Sequence, residues 1–202
     1  MKRIFCYGDS NTYGFDARSA FGERLPKTQR WTDLLQQFSG CEIINAGMNG
    51  RKIPRKSWAL ESFDRQLAGC GPADLIFIML GTNDLLTPFL PDAGKICMSM
   101  DQFVLHVLEH PLICGKGEKL LLTAPPAIVT GDFDAGASCR DREAKKLGDG
   151  YKKIAERYGL HFADASRWKL PLAHDGIHLI PEGHRLFAEK MWDLLKNIKA
   201  DS

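Results

Sequence analysis

The sequence predicts an α/β fold, a three-layer sandwich around a parallel sheet. Five short runs rich in apolar, β-branched and aromatic residues recur along the chain, at Arg3–Tyr7, Glu42–Asn45, Asp74–Leu80, Lys119–Thr123 and His161–Ala163. Each is followed by Gly, Pro, Asn or Asp and then by a longer stretch with helical period. The stretch Leu75–Leu80 is continuously apolar, as expected of a central parallel strand covered on both faces. Strands alternating with helices stack as a sheet between two helical layers.

The elements follow in order. The first strand gives way to Gly8. Trp31, Leu34, Leu35 and Phe38 then repeat at i, i+3, i+4 and i+7, which places one apolar stripe on a helix before the second strand. Met98–His110 reads as a helix between the third and fourth strands. Pro125–Ser138, rich in Pro, Gly, Ala and Asp, is the longest expected loop. Arg142–Tyr158 is a helix leading to the fifth strand. Pro181 and Glu182 open the last helix, with Phe187, Met191, Leu194 and Leu195 on one face. Neither an internal repeat nor a linker interrupts this, so residues 1–202 are expected to be one domain.

Composition narrows the functional classes. The chain has 202 residues, 44% of them hydrophobic, which is too apolar for disorder. Twenty-seven basic residues against 25 acidic ones leave no excess for nucleic acid. The six cysteines, at 6, 41, 70, 97, 114 and 139, form no C-x-x-C pair and are read as reduced thiols. The apolar run after Lys2 and Arg3 is too short for a signal peptide, and no run approaches the roughly 20 residues that span a bilayer. The expectation is a cytoplasmic protein without a membrane partner.

Four polar clusters fall just beyond strand ends, where such sheets carry their sites. They are Gly8-Asp9-Ser10, Asn45-Ala46-Gly47-Met48-Asn49-Gly50-Arg51, Gly81-Thr82-Asn83-Asp84 and His174-Asp175-Gly176-Ile177-His178. Together they can perform acyl transfer. A serine hydroxyl is a weak nucleophile until a base takes its proton, and His178 is a suitable base for Ser10. Asp175, three residues earlier on a glycine-containing turn, can hold the imidazole in the tautomer that leaves Nε2 for the serine. The N–H groups of Ser10 and Gly50 and the Asn83 amide are the candidate donors to an oxyanion.

These blocks resemble those of the SGNH, or GDSL-type, hydrolase superfamily. Gly8-Asp9-Ser10, Gly50, Gly81-x-Asn83-Asp84 and Asp175-x-x-His178 stand in the family order. Similarity to the arylesterase and acyltransferase branch is carried by Arg30-Trp31-Thr32, Ile78–Asp84, Pro125-Pro126 and Asp175–His178. The resemblance implies a flavodoxin-like five-stranded sheet of order 2-1-3-4-5. It also implies a serine nucleophile at Ser10, an activating Asp175–His178 pair, and an oxyanion hole from Ser10, Gly50 and Asn83. Asn11 stands where the family name has Leu, and Gly47 shares a loop with Gly50. Asn11, Tyr13, Arg51, Trp58 and Pro126 are the candidate substrate-binding residues. No metal or organic cofactor is implied. Members of this branch often form homo-oligomers.

Each motif alone has an ordinary reading: Gly-Asp-Ser as a turn and helix cap, Gly-Thr-Asn-Asp as a turn. Their order at strand ends is what points to chemistry. His106-Val107-Leu108-Glu109-His110 matches the H-x-x-E-H zinc pattern, but Pro111 ends that helix and no third ligand is evident. A dinucleotide fingerprint and a G-x-S-x-G elbow are both absent. Arg51, Lys52, Arg55 and Lys56 read either as a solvated helix start or as a guide for an anionic or carbohydrate-linked substrate. Asp9 and Asp84 are read as loop braces. The expected activity is hydrolysis of a small-molecule ester, short-chain and chiefly acetyl, with acyl transfer to alcohols also open. The alternatives are a carbohydrate acetylesterase of the xylan type and a non-catalytic ligand-binding member.

Overall fold

A computed structural model of the chain describes residues 3–19, 21–87, 90–129 and 137–200. The expected loop at Pro125–Ser138 therefore lies partly outside the described residues.

Strand β1 spans Arg3–Gly8 and is followed by the single-turn helix α1, Ser10–Tyr13. Helix α2 (Trp31–Ser39) precedes β2 (Glu42–Gly47), and α3 (Ser57–Gly69) precedes β3 (Leu75–Met79). The short α4 (Thr82–Leu85) and the long α5 (Ala93–Glu109) lead to β4 (Leu120–Ala124). Helix α6 (Ala137–Tyr158), β5 (His161–Asp164) and α7 (Pro181–Ala200) complete the order. The five strands form one sheet in the order β2-β1-β3-β4-β5, and all the pairings are parallel.

Successive strand side chains point to opposite faces, which divides the core in two. Phe5, Tyr7, Ile76, Ile78, Leu120 and Leu122 pack under α3, α5 and α6. Ile4, Cys6, Leu75, Phe77, Met79 and Leu121 pack under α2 and α7. Trp31 ties that second layer together: it is fully buried, with its ring 5.0 Å from Phe77 and 4.8 Å from Phe187. A parallel sheet needs this cover on both faces, and the unbroken apolar run of β3 supplies its centre.

Register sets the site. Gly8 at the end of β1 pairs with Gly47 of β2 and with Met79 of β3. Three adjacent strands thus end level, and the loops that leave them start side by side. The segment after β4 is tied to the loop before α7, where the Val129 N–H donates to the Gly176 carbonyl at 2.8 Å.

Two details differ from the sequence expectation. Helix α3 begins at Ser57, so the basic run 51–56 is an extended approach to the helix rather than its first turn. Arg51 is not solvated. It is 6% exposed, with its guanidinium 3.9 Å from the centre of the Tyr7 ring, and it donates to the carbonyls of Gly8 and Ala46. The Gly8 carbonyl also accepts the Met48 N–H, at 3.1 Å, so the arginine adds a charged donor where β1 and β2 end.

Candidate active site

Ser10 sits at the first position of α1, capped by Asp9, whose carboxylate accepts the Asn11 N–H at 3.0 Å. A first-turn N–H has no partner inside its helix, so the Ser10 amide is available to a ligand. The Asp9 carboxyl is fully buried, and burial raises it to about 6 against the opposing pull of the Asn11 N–H. Ser10 Oγ lies 2.9 Å from His178 Nε2. On the other side of the ring, His178 Nδ1 lies 2.5 Å from Asp175 Oδ2.

Asp175 is held in turn by its own loop. Its Oδ1 accepts the N–H groups of Ile177 at 2.9 Å and His178 at 3.0 Å. Burial works against its charge. The hydrogen bonds from the His178 ring and from the two backbone N–H groups win, leaving the carboxyl below its ordinary value. It is therefore a carboxylate at neutral pH. The Phe15 ring lies 4.5 Å from the His178 ring and packs against it.

The candidate oxyanion donors come from the three loops that start level. Gly50 has φ +72°, and a side chain there would meet no atom within 4 Å, so space is open on that side of the residue. The Gly47 N–H is already given to Asn45 Oδ1 at 2.9 Å, which removes it as a donor. Asn83 Nδ2 donates to the Arg51 carbonyl at 3.1 Å. An amide carries two hydrogens, so a second remains for a ligand. The same bond joins the Asn83 loop to the residue after Gly50. Gly81, with φ +123°, admits the turn into α4, and a side chain there would strike the Tyr151 hydroxyl at 2.7 Å.

Other expected residues take different places. Asn11 is 2% exposed and both ends of its amide are used within the chain: Nδ2 donates to the Ile177 carbonyl at 3.1 Å, and Oδ1 accepts the Leu179 N–H at 2.9 Å. It holds the His178 loop against α1 instead of meeting substrate. Arg51, expected at the mouth, is the buried anchor described above. Tyr13 is half-buried under the Arg24 guanidinium, 4.6 Å from its ring centre. Pro126 is buried just after β4. Trp58 is 67% exposed and lines a cleft of about 350 Å³ with Gly50, Met48 and Ile53. Asp84 braces a loop, accepting the Ile53 N–H at 3.1 Å and pairing with Arg55 at 2.5 Å.

The sequence places Asn45 in a strand-end cluster without a role; its Nδ2 donates to the Thr12 carbonyl and to Thr32 Oγ1 while Oδ1 takes the Gly47 N–H. Its place at the end of a strand was the available signal. The zinc-like pattern is spent otherwise. His106 Nε2 lies 2.8 Å from Asp64, and His110 Nδ1 accepts the Leu112 N–H. Among the described residues no three His, Cys, Asp or Glu side chains are grouped to hold a metal, and no helix is long and apolar enough to cross a membrane.

A model of the GDSL-like lipase/acylhydrolase family matches residues 6–186. Among solved structures, a carbohydrate acetylesterase from Sinorhizobium meliloti is 27% identical, with a TM-score of 0.81 over 98% of this chain and 100% of that one. An aryl esterase from M. smegmatis is 25% identical, with a TM-score of 0.83 over 98% of this chain and 100% of that one. A search of curated protein sequences finds no match.

Proposed function

We propose that this chain, which belongs to the GDSL-like lipase/acylhydrolase family of the SGNH superfamily and is a carboxylic ester hydrolase, is a serine esterase of short-chain esters, acetyl esters among them. The observation that supports this reading is the unbroken line from Asp175 Oδ2 through His178 to Ser10 Oγ, at 2.5 and 2.9 Å.

In this reading Ser10 Oγ attacks the acyl carbon and its proton passes to His178 Nε2. Asp175 holds the Nδ1–H and balances the imidazolium that forms. The carbonyl electrons move onto oxygen, which takes hydrogen bonds from the Ser10 and Gly50 N–H groups and the free Asn83 amide hydrogen. Collapse expels the alcohol, which takes the proton from His178. Water, or a second alcohol, then attacks the acyl-serine with His178 again as base. No step calls on a metal.

An organophosphonate tests the reading. It should stop activity and leave its adduct on the peptide that carries Ser10, and an adduct elsewhere would count against it. A carbohydrate acetylesterase is the second reading. The exposed Trp58 beside Gly50 favours it, because a flat apolar ring is a surface on which sugars stack. Acetylated sugars compared with aryl acetates of similar reactivity separate the two.

A further inference from the structure

The cleft beside Gly50 is larger than an acetyl group needs, at about 350 Å³. Its body is apolar, formed by Tyr7, Ile53, Pro54 and Ala59, with the exposed Trp58 and Met48 at the mouth. Its rim is cationic. Lys52, Arg55 and Lys56 line it. The Arg55 charge is met by Asp84. Lys52 and Lys56 are both exposed; Lys52 also feels the Asp84 carboxylate, but among the described residues neither lysine forms a close ion pair with a carboxylate. The floor is rigid, because Arg51 is pinned over Tyr7 by the strand-end carbonyls.

The cleft touches the reacting centre at one edge only, Gly50; Ser10 and His178 are not among its walls. Tyr7 and Ile53 belong to the face covered by α3, α5 and α6; the His178 loop sends Ile177 to that face and Leu179 to the other, and runs on into α7. The leaving alcohol must lie on the His178 side, where it collects its proton. The substituent left for the cleft is the acyl chain.

We propose that this cleft is an acyl subsite that selects an acyl group ending in a carboxylate, the monoester of a short dicarboxylic acid. The chain lies along Trp58, Ile53 and Pro54, and the carboxylate sits between Lys52 and Lys56. An apolar slot with a few placed charges is the usual build of a small-molecule site. The inference rests on the serine-esterase reading and adds charge selectivity to it.

The test compares mono-4-nitrophenyl adipate with its methyl ester, which has the same chain without the charge. The wild type should favour the acid by about tenfold in kcat/KM, the scale of one charge-assisted hydrogen bond. A Lys52→Gln/Lys56→Gln variant should bring the ratio near one. About 0.5 M salt should do the same to the wild type. Both lysines are on the surface, and an unchanged melting temperature verifies that the variant is folded. A second pair moves the charge to the alcohol: 4-carboxyphenyl acetate against its methyl ester. There the ratio should be the same in wild type and variant. A wild-type ratio near one on the adipate pair, or a lysine-dependent preference on the acetate pair, overturns the proposal. Retention of activity by Ser10→Ala on these esters overturns the serine-esterase reading instead.

Discussion

One carboxylate, Asp175, both shapes the loop that carries His178 and orients its ring. Oδ1 takes two backbone N–H groups and Oδ2 meets His178 Nδ1 at 2.5 Å. An amide at this position retains an oxygen for the loop but cannot fix the tautomer that leaves Nε2 bare. Asp175→Asn should therefore lower kcat by about 10³–10⁴-fold with a small change in melting temperature. Steady-state rates on 4-nitrophenyl acetate measure the first and thermal melts the second.

Asn83 offers the one side-chain donor of the candidate oxyanion hole. Asn83→Ala should reduce kcat by about 100–1,000-fold and leave KM within a fewfold. A loss confined to KM would move Asn83 out of the oxyanion hole.

Arg51 is structural by its contacts. It serves the carbonyls of Gly8 and Ala46 and covers Tyr7. Arg51→Ala should cost about 1–3 kcal/mol, since it removes a buried charged donor from the Gly8 and Ala46 carbonyls and its cover from the Tyr7 ring. Urea unfolding measures this. A variant as stable as the wild type, with only a raised KM, would return Arg51 to the substrate.

Two buried groups should oppose each other in acid. Burial raises Asp9 to about 6, so between about 4 and 6 the native state holds its proton more tightly than the unfolded chain, and stability falls as pH rises. His184 is fully buried and lowered to about 3 by burial, with the His178 and Arg30 charges adding to it. The unfolded chain takes up that proton below about 6.5, so this contribution falls as pH drops. The two slopes, each about 1.4 kcal/mol per pH unit, nearly cancel between pH 4 and 6. Asp9→Asn should make stability rise with pH across that window, and His184→Gln should make it fall. Urea midpoints at pH 4, 5 and 6 read both.

Much of this was legible because the signals were local. Strand and helix periodicity placed all five strands to within two residues, and the continuously apolar Leu75–Leu80 marked the sheet centre. Ser10, Asn83, Asp175 and His178 stood out as polar residues at strand ends. What stayed hidden depends on tertiary context. Arg51 looks like one cation in a solvated run, and only the Gly8 and Ala46 carbonyls and the Tyr7 ring, brought together by the fold, draw it inward. Asn11 looks like a pocket residue beside Ser10, and its role appears only when Ile177 and Leu179, more than 160 positions away, come to meet its amide. Gly47 and Gly50 are alike in sequence; the bond from Gly47 to Asn45 separates them.

The central claim is that Ser10 Oγ, 2.9 Å from His178 Nε2, is the nucleophile. The turnover of 4-nitrophenyl acetate by Ser10→Ala tests it most directly. A fall in kcat of about 10³-fold or more, with an unchanged melting temperature, is the predicted result. A folded variant that keeps a rate within about twofold of wild type would contradict it.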